Sequence, residues 1–218
     1  GSGEQCPSGS GRLVEAIRPT GAIFPTCPMG LHILLTMATW VALLRGVNVG
    51  THNRLPMPAL REALAAGGFD DVRTYVQSGN IVASSPLRSA RRVESAVHDL
   101  VVSEFGLSLP VVVRRADALA AVVAGNPFPE AAQARPKLLH VSFLAGTPSA
   151  DQVATLMAAD AARDVCRIVG DHLYIDYADG VHGSKLTPAY LARRLGGIDG
   201  TARNWRTILT LTELSDSS

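Results

Sequence analysis

The 218 residues carry 20 basic and 19 acidic side chains, a net charge of +1, so no global field draws the chain to a polyanion or to an anionic membrane surface. Hydrophobic residues at 47% and charged residues at 18% exclude a disordered chain and allow one large domain or two small ones with a sizeable core. Aromatics at 5% are too few for a base-stacking platform, and three cysteines without a CxxC give no disulfide framework, so a reducing, cytoplasmic setting is expected.

Residues 1–36 read differently from the rest. Pro7, Pro19, Pro25 and Pro28 oppose regular structure, and the segment is expected to be a disordered or extraneous extension. The uncharged run Pro19–Leu44 raises a targeting or membrane reading, but prolines and His32 interrupt it, and no membrane role is expected. The folded part is expected from Met37.

Trp40–Leu44 is an apolar run of buried-strand type, followed by the polar loop Arg45–Asn53. Pro56–Ala66 reads as a helix with prolines in or near its first turn, ended by Gly67-Gly68. Asp71–Val76 and Ile81–Ala83 form a hairpin about Gln77-Ser78-Gly79-Asn80, Arg88–Phe105 is a long amphipathic helix, and Leu109–Val113 is a further strand. This order, β-α-β-β-α-β, is the ferredoxin-like topology. A short helix over 116–124 and a loop over 125–129 follow, and the order then starts again. Leu138–Leu144 is a strand, Ser149 caps a helix to Met157, and Arg163–Val169 with Leu173–Tyr177 makes a second hairpin. Helices over 188–195 and about 202–214 close the chain. The expectation is therefore an α+β protein of two ferredoxin-like (βαββαβ-type) halves, 37–114 and 115–218. The second is incomplete because it lacks its last strand, and it carries C-terminal helices.

Candidate site residues are polar and lie beside glycines. Arg45, Asn48 and Asn53 sit in a strand-to-helix loop that lacks both GxGxxG and GxxxxGK[ST] spacing, so they suit an anion without specifying a dinucleotide. The competing reading has both asparagines satisfying turn backbone and Arg45 pairing with an acid. Ser78 and Asn80 fall in the hairpin turn. A ferredoxin-like path is expected to set that turn and the 45–53 loop at opposite ends of the sheet, leaving Asn80 to brace the core or serve another surface. Lys185, one of two lysines, precedes a helix opened by Pro188 and capped by Thr187, with His182 close by in sequence. Arg203 and Asn204 are expected at a helix start capped by Thr201, where arginine opposes the helix dipole unless an anion is bound. Cys166 reads as a buried structural thiol. No nucleophile–base pair, metal-ligand set or cofactor motif is present, so no catalytic residue, cofactor or metal is assigned.

The segments Val41-Ala-Leu-Leu-Arg-Gly-Val-Asn-Val-Gly50 with Asn53, Val72-Arg-Thr-Tyr-Val-Gln-Ser-Gly-Asn-Ile-Val82, Ser184-Lys-Leu-Thr187 and Thr201-Ala-Arg-Asn-Trp-Arg-Thr207 resemble a bacterial family known as domain of unknown function 1697. The resemblance spans about Met37 to Leu214. It implies two ferredoxin-like halves and recurrent polar positions at Arg45, Asn48, Asn53, Ser78, Asn80, Lys185, Arg203 and Asn204, and it implies no reaction. The chain departs from the family at Thr51-His52, where glycine is usual after Gly50, and at Ala202, where threonine is usual.

Three functions stay open. The first is binding of a phosphate-bearing or other anionic ligand, a small nucleotide or a nucleic-acid backbone, through the Arg/Lys/Asn loops. The second is an enzyme on an anionic substrate, with Ser78 or His182 moving protons. The third is a protein-interaction or assembly domain using a strand edge near Leu109-Pro110. The sequence sets no oligomeric state.

Overall fold

The computed structural model describes residues 36–158 and 161–217. The expectation for residues 1–36 lies almost wholly outside them. Leu35–Ser218 forms one compact unit. Its first sheet contains β1 (Ala38–Leu44), β2 (Asp70–Tyr75), β3 (Asn80–Ser85) and β4 (Val111–Arg115), ordered β2-β3-β1-β4 and antiparallel throughout. Helices α1 (Met57–Ala66) and α2 (Ala90–Phe105) make the two crossovers. After α3 (Ala116–Ala124) and α4 (Pro129–Ala134) the plan repeats, with β5 (Leu139–Leu144), α5 (Ala150–Met157), β6 (Val165–Val169), β7 (His172–Asp176), α6 (Pro188–Arg194), β8 (Gly200–Asn204) and α7 (Trp205–Asp216). The second sheet has the order β6-β7-β5-β8, so strand for strand it matches the first.

The second half is therefore complete, which corrects the expectation that its last strand was missing. Gly200–Asn204 is that strand, paired along β5 from Leu144 to His140. It reads as a helix start because β8 runs into α7 with no loop between them, and both Thr201 and Asn204 are N-cap types. Asn204 is the cap, its side-chain oxygen accepting from the Thr207 amide at 2.9 Å, and Thr201 is buried in the sheet. Ser89 and Ser149 cap α2 and α5, the latter in a capping box with Gln152. The 125–129 loop gives way to the short helix α4, opened by Pro129.

β1 is buried on both faces, and so it reads as a continuous apolar run. Trp40, Ala42 and Leu44 point to a cluster roofed by α1 and α2, while Val41 and Leu43 point to a second cluster shared by the two sheets. From the second sheet, Leu139, Val141, Phe143 and Tyr174 enter that shared core, joined by Leu119 of α3 and by Trp205 and Ile208 of α7. The other face of β5, through Leu144, packs under α5 and α6. Cys166 is a free, buried thiol in this third cluster, and burial pushes its pKa up. Each large side chain fully buried this way contributes about 1.5–3 kcal/mol.

The halves are also tied by a reciprocal pair of arginines. Arg203, fourth residue of β8, donates to the Leu44 carbonyl at the end of β1 (2.7 Å). Arg114, fourth residue of β4, donates to the Leu144 carbonyl at the end of β5 (2.8 Å). The partners of Nε correspond as well, being Asn80, which opens β3, and His172, which opens β7. So do the neighbouring backbone bonds, with Leu44 N donating to Gly79 O and Leu144 N to Asp171 O. Each half thus clasps the strand end of the other with the same device.

Gly79 belongs to this arrangement. Its φ of +72° is left-handed, and a Cβ there would sit 2.8 Å from Leu44 Cβ. Gly79→Ala is accordingly expected to cost about 2 kcal/mol or more, combining the left-handed penalty with a backbone shift at the end of β1. Urea denaturation would measure it, and a loss below about 0.5 kcal/mol would contradict the close packing described.

Candidate functional site

The loop after β1 and the β2–β3 turn adjoin, correcting the expectation that they lie at opposite ends of the sheet. β1 and β2 run parallel with β3 between them, so both of their C-terminal ends reach the same edge. Asn48 makes the join. Its side-chain amide donates to Gln77 O (2.8 Å) and Leu55 O (3.1 Å), and its oxygen accepts from Leu55 N (2.9 Å). Asn53 donates to Gly46 O at 2.9 Å. Both asparagines have positive φ, 53° and 49°, which this residue type tolerates in tight turns.

In the turn, Asn80 is fully buried. Its amide donates to Tyr75 O (3.1 Å) and Ser78 Oγ (2.9 Å), and its oxygen accepts from Arg203 Nε. Arg203 also donates to Ser78 O (2.9 Å) and Ala202 O (2.9 Å) besides Leu44 O. Burial lowers the Arg203 pKa to about 10. Asn48, Ser78, Asn80 and Arg203 are thus brought together about the turn, where the amides of Asn48 and Asn80 and the guanidinium of Arg203 meet protein acceptors.

The other cations make no hydrogen bond to these residues among the described ones. Arg45 forms a bidentate pair with Asp199 (3.0 and 3.1 Å), and the arginine's hydrogen bond holds the Asp199 carboxyl below its ordinary value. Lys185 lines a separate hollow of about 290 Å³ with Arg163, Asp164, Asp179 and His182, which shares no lining residue with the hollows around Arg45 or Arg203 among the described residues. The Ser184 hydroxyl donates to Asp164 there at 2.6 Å. Arg45, Lys185 and Arg203 therefore do not line a common hollow, although Arg45 and Arg203 both border a pocket of about 310 Å³.

Two concavities near these residues carry charged walls. An open groove of about 880 Å³ runs along the β4 edge, from Arg45 and Asp199 past Arg114 to Arg91 and Glu94 on α2. Its charges are mixed, and burial raises the Glu94 pKa against the opposing pull of Arg114 and Arg91. The second is a hollow of about 520 Å³ beyond the turn, between β8 and the start of α7. Ser78, Arg203, Asn204 and Thr207 line it together with Lys137 and Arg206, two cations not singled out from the sequence, and no carboxylate lines it among the described residues. Lys137 and Arg206 are exposed, and Arg206 sits in the first turn of α7, which holds no acid. Val76 stands at the rim of this hollow, half-exposed, with φ of 50°, an unfavourable conformation for a β-branched residue. Among the described residues no group of His, Cys, Asp and Glu could hold a metal, and no helix is long and apolar enough to cross a membrane.

A family model described as protein of unknown function, DUF1697, matches residues 37–174. The chain belongs to this family. The match ends inside β7, whereas the repeated topology of DUF1697 in this chain continues through β8 and α7. A solved structure, that of conserved bacterial protein SP0830 from Streptococcus pneumoniae, is similar over 82% of this chain and 99% of that one, with a TM-score of 0.64 and 20% identity. That likeness carries the α+β fold of the DUF1697 chain and no activity. No curated protein matches the chain.

Lys137 escaped the sequence reading, and Arg206, three residues from Arg203 on one side of the expected helix, is not among the expected site residues, because each stands beside a stronger signal. Lys137 follows the Gly- and Pro-rich loop whose helix was not foreseen, and Arg206 follows the motif residue Arg203.

Proposed function

We propose that the chain binds a small phosphate-bearing ligand in the hollow between the β2–β3 turn and the start of α7. The observation that carries this is the company of Lys137 and Arg206, exposed and without an acidic neighbour on the hollow's wall among the described residues, beside the polar side chains of Ser78, Asn204 and Thr207. An anion there would relieve the conflict between Arg206 and the positive end of the α7 dipole. On this reading Arg203 and Asn80 hold the wall in place, and Asn48 holds the turn. Arg45, Asn53 and Lys185 stand outside the site. Two cations and a net charge of +1 suit one phosphate group better than a nucleic-acid backbone, which rewards many phosphate contacts.

Thermal-shift titration with a nucleoside monophosphate, a phosphosugar and a short oligonucleotide is the test, since a ligand bound only by the folded form raises Tm. A rise with one of the small phosphates is expected. Lys137→Ala and Arg206→Ala are each expected to weaken that ligand roughly tenfold, as removal of a charge-assisted hydrogen bond does. A response that survives intact in the double variant would remove the proposal. A response confined to the oligonucleotide and falling steeply with salt would replace it with the nucleic-acid reading.

A further inference from the structure

On the face of the second sheet turned away from the shared core, His140 and Ser142 of β5 stand opposite Asn204 and Ala202 of β8. The small side chains here leave a pocket of about 310 Å³ beneath α6, walled by Leu186, Leu191, Leu195 and Ile198. Gly200 also lines it and lets Ser142 pack close, because a Cβ at that position would lie 2.3 Å from Ser142 Oγ.

Besides Arg45, Arg203 and Tyr177, two polar groups line this mainly apolar space, Ser142 and His140. Ser142 is only 6% exposed, and its hydroxyl makes no hydrogen bond to another described residue. Its oxygen is open to the pocket rather than sealed in, since the fully buried side-chain atoms without a partner among the described residues are Trp40 Nε1 and Asp176 Oδ1, and a ligand hydroxyl can therefore reach it. His140 places Nδ1 3.2 Å from Leu138 O. A carbonyl can only accept, so Nδ1 carries the proton and Nε2 is left as an acceptor. Tyr177 meets the imidazole edge-on at 5.2 Å, and burial lowers the His140 pKa, which favours the neutral ring. The charged groups at the pocket are committed elsewhere, Arg45 to Asp199 and Arg203 to carbonyls and Asn80. The rest of the wall is apolar apart from Tyr177, which suits an uncharged body better than an ion.

We propose that this pocket binds a small, uncharged, mainly apolar molecule bearing one hydroxyl, which hydrogen-bonds to Ser142 and His140 while its apolar body fills the space under α6. The size lies at the lower end of small-molecule sites. The occupant differs in chemistry from the anion above, and although His140, Ala202 and Arg203 border both hollows, the groups assigned to bind each occupant are different.

Phenol and toluene are suitable probes, since they share a ring and differ in the hydroxyl. Saturation-transfer NMR and thermal shift on the full chain are expected to detect phenol, with toluene clearly weaker. Ser142→Ala is expected to weaken phenol roughly three- to tenfold and to leave toluene unchanged, the mark of one lost hydrogen bond. Ala192→Leu, which adds bulk from α6 into the pocket alone, is expected to abolish binding of both probes while circular dichroism remains native. Lys137→Ala with Arg206→Ala is expected to leave the phenol response as it was, so that the two sites stand or fall separately. No response to either probe, phenol no tighter than toluene, or binding that persists in a folded Ala192→Leu protein would each overturn the proposal.

Discussion

Arg203→Ala is expected to cost about 3–5 kcal/mol of folding stability, read as a lowered urea midpoint with an unchanged slope. The reasoning starts from what alanine leaves behind. Leu44 O, Ser78 O and the side-chain oxygen of fully buried Asn80 would all lose their donor together, and each buried acceptor without a partner costs about 1–3 kcal/mol. The charge itself does not stabilise, since burial lowers the guanidinium pKa to about 10. What stabilises is the planar fork, which reaches the end of β1, the β2–β3 turn and Asn80 at once. Arg203→Lys is therefore expected to recover little, because one ammonium cannot span those three acceptors. Asn80→Ala should be strongly non-additive with Arg203→Ala, the two residues forming one network. A loss under about 1 kcal/mol, or additivity of the pair, would contradict this account.

The same arginine illustrates what the sequence does and does not disclose. Its polar, glycine-flanked setting marks Arg203, Asn80 and Asn48 as special, and they are. A ligand site and a clasp between repeats need the same residue types, a guanidinium and amides beside tight turns, so composition alone does not separate them. Register separates them. Arg114 occupies in β4 the place of Arg203 in β8, and Leu144 occupies in β5 the place of Leu44 in β1. Once the halves are superposed by element, the clasp is visible in the text of the chain. Recognising β8 was the obstacle. A five-residue strand running directly into a helix gives too few residues for alternation to show, and Asn204 serves both as strand end and as helix cap. The apolar strands and the capped helices, by contrast, were legible, because periodicity and capping chemistry are local. The basic hollow was not, since Lys137, Ser78 and Arg206 meet only through the fold.

Arg114→Ala is the second large effect expected, about 2–4 kcal/mol, and it should also change how stability responds to acid. Arg114 holds Leu144 O, pairs with Asp171 at 2.6 Å and donates from Nε to His172 Nε2 at 3.3 Å. His172 can accept that bond only when Nε2 is unprotonated, with Nδ1–H directed at Asp171, 3.1 Å away. Burial, chiefly, and the nearby guanidinium lower the His172 pKa, with Asp171 opposing. A histidine whose folded value lies below the ordinary 6.5 contributes stability that is complete above that pH and is lost as pH falls from 6.5 to the depressed value. His140 shifts in the same direction through burial, so the parent protein should lose stability steadily across this window. In Arg114→Ala the guanidinium no longer disfavours the imidazolium, and a protonated His172 can bind Asp171 outright. The variant should therefore be less stable than the parent near neutrality and show a shallower fall toward acid, with the gap between them narrowing below about pH 6. His172→Asn reproduces the acceptor that Asn80 offers at the matching position of the first half. It should keep much of the neutral stability while flattening the same limb. Urea midpoints collected from pH 5 to 8 would decide the matter, and parallel curves for parent and Arg114→Ala would show that His172 does not titrate against this arginine.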